Sequence, residues 1–542
     1  MKKLFLWLLL CTLSVSAQNT FYGAYDIMQQ KEEGLDITVL NDGSLIILSG
    51  ELCSHPDGLN YCNGFIRINA ENEEVWESIY DPYPHGATSA YKGFLRFNES
   101  LFVVGYEGTD LHKYDAMLQK INPDNGEVEW TKLYTIGDDS DFIDRAIKTK
   151  EGDIMMVGGF GNAENQSFDM LLLKTDSLGN ELWHKILHSQ EERDQLRSAL
   201  LLPSGNILIG GGGYKFDEDL EFDGYFAKID SDGNILYEKI FGGDKEHGYL
   251  LISDYIEDDI LIRSAYDTLT STAPATPYSS PYNTTPYVAR ADTLGNIKWQ
   301  YFFTADYFKG TWDVEHDEAG NVYVCGKDSN IPDSIRYDFF PNNDVRSESG
   351  FIAKLDSSGN LLWERQYMMY KSLNLEHFKN IALTPQGQIA ATGMVFIDTP
   401  DDTTDYYTNL HHNLWLVKTD LDGCITPGCE DRYIILGYTD SIANYVDTVG
   451  GVGFVPQLEQ KHFFLPQLSG GAMEARFYNA VYRESSYLNV YNLNGQRVAR
   501  ESLPLGTTTL QFNTVNFPQG IYIVEYEAAG KALQREKYVL SR

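Results

Sequence analysis

The residues best suited to hold a metal ion are short acidic runs. Asp230-Ser231-Asp232-Gly233-Asn234 has the oxygen-rich opening of a calcium loop. Counted from Asp230, the closing carboxylate of such a loop falls on the twelfth position, which is Phe241 and offers no oxygen. We therefore interpret the run as a hairpin turn. Asp138-Asp139-Ser140-Asp141 and Asp217-Glu218-Asp219 are expected to be solvated loop charges, with weak calcium binding as the alternative.

Sequence signatures of catalysis are missing. The chain has no Gly-x-Ser-x-Gly, His-Glu-x-x-His or phosphate-cradling motif. The pair His411-His412 would need further metal ligands to which the sequence does not point. We assign no catalytic, cofactor-binding or metal-binding residue and expect no cofactor, with calcium as the weaker alternative.

Six cysteines are present. The close pairs Cys53/Cys62 and Cys424/Cys429 are each expected to form a local disulfide in an oxidising compartment. Cys325 lies in an apolar run and is predicted to be a buried free thiol. A zinc site is the alternative, but it lacks a nearby second pair and clustered histidines.

The strongest signal is an internal repeat of the form Lys-x-Asp-x-x-Gly-Asn-x-x-Trp. Its aromatic position recurs at intervals of 53 to 64 residues, and a final copy over 417–423 has lost the aromatic. The aromatic residues are Trp76, Trp130, Trp183, Tyr237, Trp299 and Trp363. A second motif, turn, glycine, apolar run, glycine, alternates with the first, as in residues 151–158 and 204–210.

These motifs predict strands joined by tight turns. The Asp of each turn can accept turn amides, and its glycine supplies the positive φ that closes a hairpin. Two hairpins per repeat give a four-stranded sheet that must stack on its neighbours to be buried. We therefore predict an all-β chain with a seven-bladed β-propeller over residues 34–425. The six aromatic residues are expected to fill equivalent slots between blades.

The N-terminus and the charge restrict location and partners. Residues 1–17 have the basic start, short apolar run and small-residue end of a signal peptide, so we predict cleavage after Ala17. No later run is long enough for a transmembrane helix in the mature form. The formal net charge of −36 argues against nucleic-acid and anionic-lipid partners.

Two family resemblances follow from these motifs. The Trp repeat resembles the propeller repeats of quinoprotein-like proteins and of secreted bacterial surface proteins. Beyond a predicted linker over 426–471, residues 472–542 resemble the C-terminal sorting domain of proteins exported by type IX secretion. The residues that carry this second resemblance are Tyr491 to Val498, with the turn Asn494-Gly495, then Gly520, Ile521 and Tyr522, and finally Lys537, Tyr538 and Val539.

The sorting resemblance implies a small β-sandwich, the type IX machinery as partner, and export across the inner and outer membranes. We therefore predict a secreted or cell-surface binding or scaffold protein whose loops present side chains to a polysaccharide or protein. The Pro-, Ser-, Thr- and Tyr-rich insertion over 270–287 is either a binding or glycan-bearing loop or a flexible one. The alternatives are a propeller hydrolase or lyase acting on extracellular glycans, and a structural adhesin.

Overall fold

All regular elements in the described part of this computed structural model are β-strands. They belong to two compact units, Met1–Pro332 with Asn342–Val452 and Asp333–Pro341 with Gly453–Arg542. The structure describes residues 20–25, 32–55, 58–80, 89–97, 100–110, 113–137, 140–162, 167–187, 193–214, 222–241, 249–267, 284–304, 309–329, 348–369, 376–396, 412–425, 429, 431–436, 463–464, 473–477, 486–492, 496–504, 507, 509–512, 517–518, 520–528 and 531–540. The predicted signal peptide lies outside them.

The described residues of the first unit form seven antiparallel four-stranded sheets, numbered here along the chain. Sheet 1 contains β2 (Glu33–Val39), β3 (Leu45–His55), β4 (Gly58–Ile68) and β5 (Glu74–Tyr80). Sheet 2 contains β6 (Ser89–Phe97), β7 (Ser100–Asp110), β8 (Lys113–Ile121) and β9 (Val128–Tyr134). Sheet 3 contains β10 (Asp141–Lys148), β11 (Ile154–Asn162), β12 (Ser167–Thr175) and β13 (Glu181–Leu187). Sheets 4 and 5 contain β14 (Arg193–Leu201), β15 (Ile207–Tyr214), β16 (Phe222–Ile229) and β17 (Ile235–Phe241); and β18 (Leu251–Ile256), β19 (Asp259–Asp267), β20 (Thr284–Asp292) and β21 (Ile297–Phe302). Sheet 6 contains β22 (Lys309–His316), β23 (Val322–Asp328), β24 (Ser349–Leu355) and β25 (Leu361–Met369), and sheet 7 contains β26 (His377–Thr384), β27 (Gln388–Phe396), β28 (His412–Asp420) and β1 (Phe21–Tyr25).

The sheets are arranged in a closed ring. The first strand of each sheet is innermost and contacts the first strand of the next sheet, and β26 contacts β2. A separate hydrophobic core fills each junction between neighbouring sheets. The core between sheets 7 and 1 joins Ile37 and Ile47 to Leu414 and Leu416. Each sheet therefore buries both faces against neighbours, and the predicted all-β propeller fold is confirmed.

The repeated turn works through its Asp and Gly. The Asp176 carboxylate accepts the backbone N–H groups of Leu178 at 2.9 Å and of Asn180 at 2.8 Å. Gly179 has a φ of +77°, a conformation that favours glycine. Equivalent hydrogen bonds form at Asp230, Asp292 and Asp356. The oxygen-rich run at Asp230 is thus the hairpin turn that the sequence predicts.

Five of the six repeat aromatics lie against a turn of the following sheet. A Cβ atom added to Gly179 would lie 2.8 Å from the Trp130 ring, and one added to Gly126 would lie 2.5 Å from Trp76. Trp183, Trp299 and Trp363 lie in the same way against Gly233, Gly359 and Gly423. Tyr237 differs, because the side chain facing Gly295 is Phe241. Lys239 covers the Phe241 ring at 4.4 Å and donates to the Gly295 carbonyl at 3.0 Å, so this pair occupies the slot.

The basic residue of the repeat also joins neighbouring sheets. Lys174 donates to the Ser231 carbonyl at 3.2 Å, and Lys354 to the Leu421 carbonyl at 3.3 Å. Arg67 makes the corresponding bond to Pro123 at 3.0 Å. In each case the accepting carbonyl belongs to the second residue of a turn in the next sheet, directly after the Asp or Asn that begins that turn. The basic residue of the repeated Lys-x-Asp sequence therefore attaches each of these sheets to the next by a hydrogen bond.

The seventh sheet is completed from the other end of the chain. Phe21 of β1 pairs with Lys418 of β28, the register that Trp183 has opposite Lys174. Lys418 crosses to sheet 1 and donates to the Ala70 carbonyl at 3.1 Å and the Asn72 side chain at 3.0 Å. The sequence prediction started the propeller at residue 34 and omitted this strand. The last repeat lacks its aromatic because the N-terminal segment supplies Phe21 at that position.

Residues 429 and 431–436 of the predicted linker contact sheet 6. The predicted Cys424–Cys429 disulfide is present, and β29 (Tyr433–Leu436) adds a parallel fifth strand to β25. Arg365 fixes this turn by donating to the Cys429 carbonyl at 3.0 Å and the Asp422 carbonyl at 2.7 Å. The segment up to Leu436 thus extends the propeller edge.

The second unit contains two small antiparallel sheets. One comprises β30 (Phe463–Phe464), β31 (Met473–Phe477) and β34 (Thr509–Phe512); the other comprises β32 (Ser486–Asn492), β33 (Arg497–Leu503), β35 (Gly520–Ala528) and β36 (Lys531–Leu540). Asn494 and Gly495 lie outside the described residues. The Asn492 N–H donates to the Gln496 carbonyl at 3.0 Å, and β32 and β33 on either side of the predicted turn pair as an antiparallel hairpin.

Candidate functional site

Every innermost strand of the ring carries one β-bulge at an equivalent position. Each bulged residue contacts solvent, whereas most residues directly before and after the bulges are buried. We call the seven residues the bulge ring: Leu35, Lys92, Asp144, Arg197, Ser253, Trp312 and Lys379. A bulge redirects a side chain and is typical of functional edges. The innermost strands therefore present one side chain per sheet at a shared level.

The bulge ring lies nearer one face of the propeller. Six of the seven bulges fall in the first half of their inner strand and Arg197 is the middle residue of β14, and the tight turn to the second strand follows at the other end. The second-to-third strand connections, including 268–283, 329–347 and 397–411, join strand ends on the bulge face. The tight Asp-Gly turns all lie on the opposite face. The described ends of the second and third strands thus share a face with the bulge ring, and loops at such a face of a rigid scaffold commonly form binding surfaces.

Charged side chains meet across the ring just beyond the bulges. Arg145 of sheet 3 donates to Asp36 of sheet 1 at 3.0 Å, although sheet 2 lies between them. Gly93 of sheet 2 makes the space, because a Cβ there would lie 2.6 Å from the Arg145 guanidinium. Asp36 also accepts the N–H of Phe94 at 2.8 Å. A contact between non-neighbouring sheets requires side chains that reach the axis, so this pair lies at the axis of the ring; the end of the axis on the bulge face is called the mouth.

Enclosure changes the acidity of the carboxyl groups around this pair. Burial raises the pKa of Asp313 to about 6 against the opposing effects of Arg263 and Arg145. Burial, reinforced by Asp313, Asp254 and Asp36, also raises the pKa of Glu315 well above its ordinary value. Burial lowers the pKa of Arg263 to about 10, while the neighbouring Asp313 opposes that change. The axis thus holds carboxyl groups that retain protons to unusually high pH.

A second group of side chains surrounds Trp312 at the mouth. Lys379 lies 4.6 Å and Lys327 5.6 Å from the centre of the Trp312 rings, and the His377 ring lies 4.6 Å away. His377 also bonds to Glu33, which lies 3.4 Å from Lys379. Burial lowers the pKa of His377, and the two lysines add to this effect against the opposing effect of Glu33. An indole flanked by two cations can stack on a ring and attract an anion.

On another side of the mouth, two cations share one carboxylate. The Arg197 guanidinium lies 3.8 Å from Asp144 and 3.8 Å from the Tyr249 ring centre. Burial raises the pKa of Asp144, while Lys92 and Arg197 oppose that change. Lys92, Asp144 and Arg197 belong to sheets 2, 3 and 4, so Asp144 has one of the two cations on each neighbouring sheet.

Several predicted site residues lie elsewhere. Asp141 was expected to be a solvated loop charge, but it begins β10, is fully buried and accepts the Ile136 and Gly137 N–H groups. Its pKa is raised by burial, which those hydrogen bonds oppose. His412 is the first residue of β28 and lies opposite Phe396, so it belongs to a strand of sheet 7. The runs 138–139 and 217–219, His411 and most of the 270–287 insertion are outside the described residues.

The cysteine and metal predictions have mixed outcomes. Cys325 is a buried free thiol, as expected. Cys53 and Cys62 lie on paired strands, but their side chains are outside the description and their disulfide stays a prediction. Within the described ranges, no three His, Cys, Asp or Glu side chains are grouped closely enough to hold a metal ion.

The sequence analysis missed the whole axial site. The residues come from seven distant segments, and neither their charges nor their neighbours form a motif. One signal was available: in five sheets the bulged residue precedes the inner-turn glycine by eight positions. The pairs are Leu35 and Gly43, Asp144 and Gly152, Arg197 and Gly205, Trp312 and Gly320, and Lys379 and Gly387.

A cavity of about 200 Å³ opens on the turn face, between sheets 1 and 2. Its arginines are committed to structural contacts. Arg67 pairs with Asp42 at 2.6 Å and bonds to Pro123, and Arg96 donates to the Val39 carbonyl at 2.7 Å. These contacts hold neighbouring sheets together, so the mouth on the bulge face is the better candidate site.

The described residues that carry the sorting resemblance are centred on one sheet of the second unit, formed by β32, β33, β35 and β36. Tyr522 is buried and donates from its hydroxyl to the Pro518 carbonyl at 2.7 Å. Lys537 pairs in register with Ile523, and Gly520 with Leu540. Tyr491 donates to Glu525 at 3.1 Å. Most of the residues that carry the sorting resemblance therefore belong to the four-stranded sheet of the second unit.

Comparisons with known proteins separate the two units. Residues 476–541 match the family described as Secretion system C-terminal sorting domain. No curated protein sequence matches the chain. Similar solved structures include a Kuenenia stuttgartiensis hydrazine synthase chain, at 9% identity and TM-score 0.42, with coverage of 73% of this chain and 97% of that one. A catalytically inactive virginiamycin B lyase from Staphylococcus aureus gives 10% identity, TM-score 0.40 and coverages of 74% and 99%. The β-propeller domain of the Pyrococcus furiosus Trilobed protease gives 9% identity and a TM-score of 0.37, with coverage of 73% of this chain and 93% of that one.

The chain is therefore a β-propeller protein with a type IX sorting domain. That domain indicates interaction with the secretion machinery and export to the cell surface or the medium. Within the described residues, no helix has the length and apolarity to cross a bilayer.

Proposed function

We propose that the exported propeller binds an extracellular ligand over the mouth. The bulge ring carries this proposal, because seven separate strands each bend outward at the same level to present a solvent-contacting side chain. Six of the seven bulged residues are polar or aromatic, which packing alone does not require; the seventh, Leu35, packs against the core between sheets 1 and 2. Charged pairs from several sheets hold these side chains in place, as preorganised binding sites require.

A glycan array combined with pull-down from the native extracellular milieu tests this function. The secreted chain is compared with Trp312→Ala and with Lys150→Gln, a change of an exposed lysine on the turn face. We expect specific retention by the wild type and Lys150→Gln, and roughly five- to hundredfold weaker retention by Trp312→Ala, since stacking on an aromatic is worth about 1–3 kcal/mol. Equal retention by all three proteins would place the ligand elsewhere.

A second candidate function is that of a glycan hydrolase or lyase. The observation that favours it is the group of enclosed carboxyls at the axis, where Asp313 and Glu315 hold protons beside the Asp36–Arg145 pair. Carboxyl groups with separated pKa values are the requirement for acid and base roles. Turnover of extracellular glycans by the wild type, lost in Asp313→Asn with ligand retention intact, would establish this function over simple binding.

A further inference from the structure

The charge of the bulge ring differs from the charge of the chain. The whole protein has a formal net charge of −36. The ring contains three cations, Lys92, Arg197 and Lys379, against the single carboxylate of Asp144. The three ring cations offer positive charge to an anion, although Glu33 lies 3.4 Å from Lys379 and competes for that cation. The mouth is thus chemically suited to an acidic group although the surface around it is acidic.

The cations are held in place but not saturated by their carboxylates. Arg197 is 41% exposed, and its separation of 3.8 Å from Asp144 is long for an ion pair. Exposed pairs of this kind contribute little to stability, so a ligand carboxylate can compete for the guanidinium at low cost. The Tyr249 ring under Arg197 keeps the guanidinium plane fixed, which favours bidentate recognition of a carboxylate.

The neighbouring aromatic surface indicates what carries that carboxylate. Trp312 keeps part of its surface exposed, and Lys379 of sheet 7 lies over its indole at 4.6 Å from the ring centre. An indole packs well against the apolar face of a sugar ring, and Glu33 and Glu348, which lie close to the lysines, can accept hydroxyl hydrogen bonds. Aromatic, cationic and acceptor groups around one mouth fit a ring-shaped ligand that has both hydroxyls and an acid.

We propose that the bulge ring binds a carbohydrate bearing a carboxylate, with Arg197 and Lys92 pairing with the acid and Trp312 packing against a sugar ring. The proposal rests on the binding function above and specifies its ligand class. The chain's negative charge repels an extended polyanion, so the recognised element is one acidic sugar at a chain end or in a short oligosaccharide. A long nucleic acid is disfavoured for the same reason.

Isothermal titration calorimetry of the secreted full-length chain tests this ligand class. The probes are trigalacturonic acid, its neutral trimethyl ester, and a trisaccharide ending in N-acetylneuraminic acid, with a single-stranded oligonucleotide as the competing class. The variants are Arg197→Gln and Lys92→Gln, and Lys150→Gln is the charge-matched control on the turn face. Thermal melts of all variants verify that they are folded.

We expect at least one acidic sugar to bind, with the corresponding neutral ligand about tenfold or more weaker, because a hydrogen bond to a charged group is worth about 1.5–3 kcal/mol. Arg197→Gln should lose a similar factor, and Lys150→Gln should lose none. If the ester binds as tightly as the acid and Trp312→Ala weakens both, the acidic class is wrong while mouth binding stands. If no probe binds, or the oligonucleotide binds most tightly, the proposal is overturned. Ligands from the array that are insensitive to Trp312→Ala would overturn both proposals.

Discussion

The junction between sheets 7 and 1 offers a sharp test of how this propeller closes. Lys418 is 1% exposed and makes the two hydrogen bonds that join β28 to the turn between β4 and β5 of sheet 1. In Lys418→Met, the Ala70 carbonyl and the Asn72 side chain lose this donor. The expected loss of stability is about 1.5–3 kcal/mol at neutral pH, the range for hydrogen bonds made by a charged group.

The pH dependence of this loss follows from the pKa of Lys418. Burial lowers that pKa to about 8 from 10.5, with Glu71 opposing the change. Between these values the unfolded chain binds more protons than the folded one, so stability rises with pH. The rise from pH 7.5 to pH 9.5 is about 2 kcal/mol. Lys418→Met loses this rise, and the gap between wild type and variant widens in alkaline buffer.

Hydrogen exchange measured by mass spectrometry locates the effect, and urea titration at both pH values gives its size. The matched variant is Lys354→Met, whose lysine makes the corresponding contact between sheets 6 and 7, where the chain is continuous. Lys418→Met should speed exchange selectively in residues 20–25. Identical exchange patterns in the two variants, or an unchanged alkaline rise in Lys418→Met, would refute the closing role of Lys418.

Three further predictions concern the turns, the axis and the edge. In urea unfolding, Gly179→Ala should lose about 1 kcal/mol more stability than Gly152→Ala. Both glycines have positive φ, but only Gly179 lies against the Trp130 indole, whereas a Cβ at Gly152 would have nothing within 4 Å. Equal losses would contradict the docking of Trp130. The raised pKa of Asp313 means that wild-type stability falls by up to about 3 kcal/mol as pH rises from about 4 to about 6, and Asp313→Asn should flatten that fall; an unchanged pH profile would show that this carboxyl is not enclosed. Replacing Cys424 and Cys429 by serine should cost about 2 kcal/mol for so short a loop and expose residues 425–436 to limited proteolysis, whereas unchanged cleavage would show that β29 is held without the disulfide.

The repeat allowed the individual sheets to be predicted from the sequence, but it did not predict how the ring of sheets closes. Turn residues, short apolar runs and the recurring Trp are local features, and each determines its own hairpin. The N-terminal strand has no such feature: Phe21 to Tyr25 is five residues long and gains its partner only when β28, almost 400 residues away, presents an unpaired edge. The missing aromatic in the seventh repeat was the one local hint that another segment must supply it.

The axial site could not be predicted because its chemistry depends on closure. Asp36 and Arg145 are 109 residues apart and are not in neighbouring sheets. Gly93 has no chemistry of its own, yet its missing side chain is what lets the pair form. Asp141 shows that local sequence also fails to predict burial. The acidic run over 138–141 has the composition of a solvated loop, yet the Asp141 carboxyl is fully buried at the start of β10.

A double-mutant cycle on Asp36→Asn and Arg145→Gln tests most directly whether the inner strands converge on one axis. The two residues lie in sheets 1 and 3, so they can be coupled only if their side chains meet at the axis of the ring. We predict an interaction free energy of about 1 kcal/mol or more from urea unfolding of the two single variants and the double variant. Additive losses, with no interaction free energy, would contradict the convergence on which the proposed binding site depends.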